Sequence, residues 1–126
     1  MDAAVRTALG VDGTIDITTV GARSGLPRRS EIWFLQFEGR TFITGTPGAR
    51  NWYSNLLAHD RLTFHLKEST EADLPARAVP IVDEPTRRWV FSRPHRWNDW
   101  YLSEASFDDL VSSSPLVEVF FDGETG

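Results

Sequence analysis

Four consecutive apolar residues, Ile32-Trp33-Phe34-Leu35, sit inside a segment that otherwise reads as a β-strand. Side chains along a strand point alternately to opposite faces, so this run is greasy on both sides and must be covered on both. In a chain of 126 residues, the length of one domain, that points to a small closed or split β-barrel with short helices packed outside it. The expected class is mainly β (α+β), with six strands and residues 1–126 forming a single unit.

The rest of the chain supplies the other elements. Residues 2–9 read as a short helix ended at Gly10, and Thr14–Val20 alternates as a first strand. Arg28–Phe37 is the second strand, Glu38-Gly39 a tight turn, and Arg40–Thr46 the returning third strand of a hairpin. Arg50–His59 has Trp52/Leu56 and Tyr53/Leu57 as i,i+4 pairs and reads as a helix. Arg61–Lys67 alternates cleanly as a fourth strand. Leu74–Val82 is the fifth, and its two prolines predict an edge position or a bulge. Asp83 caps a helix that tolerates Pro85 in its first turn and fails near Pro94. Trp97, Trp100 and Tyr101 then fall at i, i+3, i+4 on a second short helical turn. Ser106 opens a last helix through Val111, and Leu116–Phe121 closes the chain's strand set.

Charge narrows the function. The net charge is -5, yet residues 1–67 carry +2 and residues 68–126 carry -7. A polyanion such as nucleic acid, spread over a whole surface, is a poor partner for that asymmetry; a small anion held by the first half is a good one. The stretch Thr18–Ser30, TTVGARSGLPRRS, concentrates Arg23, Arg28 and Arg29 with no acidic residue. Gly21 and Gly25 let backbone amides turn inward, while Ser24 offers a hydroxyl. The same residues also suit a solvated hairpin turn. The spacing is not that of a Walker A loop or a nucleophile elbow.

A second anion-friendly element is Thr44-Gly45-Thr46-Pro47 followed by Arg50, Asn51 and Trp52, a strand end leading into a helix start with free N–H groups. The histidines His59, His65 and His95 match no metal spacing, so no metal is expected. No cysteine is present to act as nucleophile or thiolate ligand. The aromatic run Trp89, Phe91, Trp97, Trp100, Tyr101 combines packing over a barrel mouth with a surface on which a flat ligand would stack. No apolar run follows Met1-Asp2 and none reaches the ~20 residues of a membrane span, so a cytoplasmic protein without an integral membrane segment is expected.

TTVGARSGLPRRSEIWFL and, after the hairpin, TGTPGARNWYSNLLAHDRLTF resemble the deazaflavin (F420)-dependent nitroreductase and quinone reductase family. That family lies within the split-β-barrel, FMN-binding-like superfamily. The likeness covers about residues 14–67 well and the last third only in element order. It implies coenzyme F420 binding. By position, Arg23, Ser24 and Arg28 match the loop that holds the coenzyme's phosphate or oligoglutamate tail. Thr44, Gly45, Thr46 and Pro47 match the strand end bordering the deazaflavin ring, and Trp52 and Asn55 match the family's W-x-x-N-L helix, which Arg50 and Asn51 precede. Trp97, Trp100 and Tyr101 are substrate-side candidates by position.

The activity so implied is hydride transfer from reduced F420 to a quinone, nitro compound or activated alkene. The cofactor carries the chemistry, and no residue acts as a covalent catalyst. An FMN oxidoreductase of the same superfamily, or a non-catalytic carrier of flavin, deazaflavin or haem, remains the alternative, and a homodimer is compatible with the fold. Ala22 stands where members often have a second basic residue and Glu31 where a proline is common. The segment between Gly48 and Trp52 is shorter than usual.

Overall fold

A computed structural model describes residues 1–123. Five helices and six strands follow one another as α1 (Ala3–Val11), β1 (Thr14–Val20), β2 (Pro27–Phe37), β3 (Arg40–Thr44), α2 (Asn51–Ala58), β4 (Arg61–Leu66), β5 (Ala72–Pro80), α3 (Glu84–Ser92), α4 (Arg96–Glu104), α5 (Phe107–Ser113) and β6 (Leu116–Phe121). The strands close into an antiparallel barrel in the order β1-β2-β3-β6-β5-β4. This is the six-stranded barrel expected from the doubly apolar strand.

The two faces of that strand serve two cores. Phe34 points into the barrel with Ile15, Ile17, Ile43, Phe64, Val117 and others, and α1 adds Val5, Ala8 and Leu9 to the same cluster. Phe34 and Phe64 meet edge to face at 5.2 Å, and each fully buried phenyl contributes roughly 2–3 kcal/mol. Leu35 points outward to a second core, where Phe42 and Leu116 pack under Val90, Phe91, Tyr101, Leu110 and Val111 of α3, α4 and α5. Strands apolar on both faces are therefore those that carry helices on their outer side.

β2 is longer than its neighbour β3. Phe34–Phe37 pairs with β3, whereas Pro27–Trp33 is paired only with β1 among the described residues. That overhang splits the barrel wall and leaves room for α2 alongside it. Its exposed end, Pro27-Arg28-Arg29-Ser30-Glu31, has the proline and charges that keep a free edge from pairing with other chains.

Several boundaries differ from the sequence reading. α1 runs through Gly10 to Val11, because the Asp12 N–H still reaches Ala8 O at 2.8 Å and keeps the last turn closed. β3 stops at Thr44, leaving Thr46 in the following turn. β5 is no edge strand: it lies between β4 and β6. Pro75 is tolerated because it falls at the last rung beside β6, where its carbonyl accepts from Asp122 N at 3.0 Å and β6 has ended. Pro80 is the final residue of β5. The last helix continues past Val111 to Ser113.

Candidate functional site

The basic loop is an ordered turn. Gly21 N donates to Leu26 O at 2.8 Å and Gly25 N to Gly21 O at 3.0 Å, with Gly25 at φ 69°. Gly21 serves differently: a Cβ there would lie 2.4 Å from Ser24 Oγ, so only glycine admits the hydroxyl. That hydroxyl accepts from Leu26 N at 3.1 Å and from the Arg28 guanidinium at 3.4 Å. Below the loop, Asn55 of α2 accepts from Ala22 N at 2.9 Å and donates to Thr19 Oγ1 at 3.0 Å. The asparagine of W-x-x-N-L is thus a clamp that fastens the loop to the helix.

A cleft of about 560 Å³ opens between this loop, residues Arg28–Ser30 and the α2 residues Asn51, Trp52, Ser54 and Asn55. Alternation explains the wall. Phe34 and Ile32 face the barrel interior, so Ser30 and Arg28, on the same face, continue that surface beyond the barrel mouth. Opposite them α2 begins at Arg50, whose side chain makes no capping hydrogen bond. The first N–H groups of the helix, at its positive dipole end, lie beside the cleft. Arg23 and Arg28 have no carboxylate partner among the described residues. Arg29, by contrast, is held by Asp16 at 3.0 Å.

The remaining candidates separate into other places. Arg50 turns back on the preceding turn, donating to Thr46 O at 3.0 Å, Thr46 Oγ1 at 2.8 Å and Ala49 O at 3.0 Å. It shapes the entry to α2. Thr44 is buried, its Oγ1 donating to Pro115 O at 2.6 Å, and Tyr101 donates to Thr44 O at 3.4 Å. Burial pushes the Tyr101 phenol well above its usual range, so it stays a neutral donor. Thr46 and Pro47 border a second hollow of about 500 Å³ with Trp100, Glu104 and Asp109.

Trp100 is 43% exposed and stands edge-on to Trp33 at 5.2 Å. Trp97 stacks flat on Trp33 at 3.8 Å and donates its indole N–H to Gly13 O at 3.0 Å. Gly13 precedes β1 and the basic loop follows it, so Trp97 belongs to the opposite end of that strand. Trp33 was not among the sequence candidates. The available signal was its place in the doubly apolar run, on the face that carries the helices.

His95 holds the helix that bears these tryptophans. Its Nδ1 accepts from Trp97 N at 3.0 Å, and its ring meets Phe37 edge to face at 5.6 Å. Burial, with Arg96 nearby, lowers the imidazole's pKa below its usual value. The unfolded chain then binds a proton before the folded one, so this stability is complete above about pH 6.5 and is lost as pH falls through the folded value. Urea denaturation at neutral and mildly acidic pH should show the loss. It should shrink in His95→Asn, whose amide caps the helix without titrating.

A model of the F420H(2)-dependent quinone reductase family matches residues 2–109. Among solved structures, a protein related to general stress protein 26 of B. subtilis, of the pyridoxinephosphate oxidase family, from Clostridium acetobutylicum, has a TM-score of 0.71 at 10% identity; the match covers 94% of this chain and 81% of that one. A structure described as an F420 reductase has a TM-score of 0.66 at 17% identity, covering 94% and 93%. An F420-H2 dependent reductase (FDR-A) has 0.60 at 16%, covering 86% and 95%. These likenesses place the barrel in the FMN-binding split-barrel fold, and the match over most of its length makes this chain a member of the F420H(2)-dependent quinone reductase family, an F420-dependent reductase.

Proposed function

We propose that the protein reduces a quinone, nitro compound or activated alkene with reduced F420, holding the coenzyme's phosphate end in the cleft between the Gly21–Leu26 loop and α2. The observation that carries this reading is the uncapped α2 N-terminus facing two guanidiniums, Arg23 and Arg28, that no carboxylate neutralises. The residues fit the group. The loop is pre-ordered by its own hydrogen bonds, and the cleft is lined by donors rather than acids.

Reduced F420, when bound, supplies the hydride. The chain's own work is positional. Arg23, Arg28 and the N–H groups of Asn51 and Trp52 would grip the anion; Ser24 and Asn55 fix the loop that carries Arg23. Gly45, Thr46 and Pro47, with buried Thr44 held behind them by Tyr101 and the turn braced by Arg50, would border the ring. Trp100, with Trp33 behind it, offers the acceptor a flat apolar face, and Trp97 supports Trp33 from the other side. Water exclusion by these aromatics favours transfer to the acceptor over side reactions. Among the described residues no helix is long and apolar enough to cross a membrane. We place the reaction in the cytoplasm.

Separate titrations of the purified protein with F420 and with FMN, followed by fluorescence, test the reading. Micromolar binding of F420, and oxidation of F420H2 by menadione or a nitroarene, are expected. FMN bound tightly with F420 ignored would establish the flavin alternative. F420 binding without turnover would leave a carrier. Arg28→Ala should weaken F420 binding by about 1–2 kcal/mol, the scale of one exposed charged hydrogen bond; unchanged affinity would make the loop a mere turn.

A further inference from the structure

We propose that this cleft takes only the phosphate-proximal end of the coenzyme and releases the γ-glutamyl tail to solvent, so that affinity is nearly independent of tail length, a proposal that rests on the cofactor reading above. Arg23 and Arg28 have no carboxylate partner among the described residues, but the next cation along β2, Arg29, is paired to Asp16 at 3.0 Å. Lys67, just past the end of β4 on the far side of β1, is shared between Asp16 at 2.7 Å and Glu31.

The wall beyond them is acidic. Around Arg29 and Lys67 on the outer face lie Asp16, Glu31 and Asp73, with Glu71 beside them; farther along β4 and β5 on that face, Arg61 is paired to Asp122 and Arg77 lies over the Phe120 ring. Hydrogen bonding from Lys67 holds the Asp16 carboxyl below its usual range, and His65 does the same for Asp73. Both stay ionised at neutral pH and repel further carboxylates.

The opposite exit, past the start of α2, offers no free cation either. Arg50 is spent on Thr46 and Ala49. Arg87, which lines the adjoining hollow, is taken up by three backbone carbonyls. A polyanionic tail leaving the cleft past Arg29 or past the start of α2 meets neutral or negative surface, and solvent is the more favourable course for it.

Titration with F420 carrying no glutamate, a short tail and a long tail tests this by binding alone. The three dissociation constants should agree within about threefold, the scale of exposed charge pairs, and salt should weaken all three alike. A long-tailed coenzyme that binds about tenfold tighter or more, with a steeper salt dependence, would overturn the proposal. Glu31→Lys, at an exposed position, adds a cation beside the exit and should create a preference of several-fold for the long tail. If that variant stays indifferent to tail length, the electrostatic explanation is wrong. Failure of every form to bind rejects the cofactor site itself, a result distinct from tight, tail-dependent binding.

Discussion

Arg87→Ala is expected to lower stability by about 3–5 kcal/mol, because three buried carbonyls lose charge-assisted donors at about 1–3 kcal/mol each. Arg87 lies on α3 and is 8% exposed. Its Nε donates to Val111 O, one Nη to Ile81 O at 2.7 Å and the other to Ser114 O. The carbonyls of Val111 and Ser114 belong to the last turn and cap of α5, the negative end of that helix dipole, so the cation is matched without a carboxylate. Burial lowers its pKa below the usual arginine value, although a guanidinium remains charged at neutral pH. Removing it strands three acceptors and detaches α3 from α5 and from the segment entering β6. Thermal denaturation should show a Tm lower by roughly 10–20 °C for a domain of this size. Arg87→Lys should recover only part of that, because one ammonium cannot donate along three divergent directions set by a planar fork. Full recovery by lysine would mean that charge near the helix end, and not the fan of hydrogen bonds, carries the effect.

The barrel was legible because its strands announce themselves locally. β1 and β4 alternate, β6 is a compact apolar run, and the doubly apolar centre of β2 demands cover on both sides. Ring closure was not local information. The β3–β6 and β5–β6 pairings join residues far apart in sequence, which is why the prolines of β5 read as edge signals. A proline breaks a ladder only where its missing N–H would have had a partner, and at Pro75 the neighbouring strand has just ended.

The site was legible as a set of residues and less so as a set of directions. Arg23, Ser24, Arg28, Asn51, Trp52 and Asn55 do gather round one cleft. Arg50 falls outside it because its guanidinium finds carbonyl and hydroxyl acceptors within four residues, a local competition that spacing does not express. Trp33 was hidden by its neighbours: in an apolar run, a ring stacked on Trp97 and standing edge-on to half-exposed Trp100 looks the same as one that only fills the core.

Asn55 separates fold from function most sharply. Asn55→Leu should cost about 2 kcal/mol of stability, since Ala22 N loses its acceptor and Thr19 Oγ1 its donor beneath the loop. The loop would then be free to leave α2, and F420 affinity should fall with it. Asn55→Asp probes the electrostatics instead. Its carboxylate still accepts from Ala22 N and from the Thr19 hydroxyl, so the clamp is preserved in outline, while desolvating the new charge should cost about 1–3 kcal/mol in urea denaturation. The new negative charge, however, lies beneath the loop that presents Arg23 and Arg28, and repels any anion in the cleft. F420 affinity should fall by tenfold or more in Asn55→Asp, a drop that high salt relieves. Equal affinity in Asn55→Asp and wild type, measured by fluorescence titration, would remove the coenzyme's anionic end from this cleft, because no charge buried so close to a bound phosphate goes unfelt.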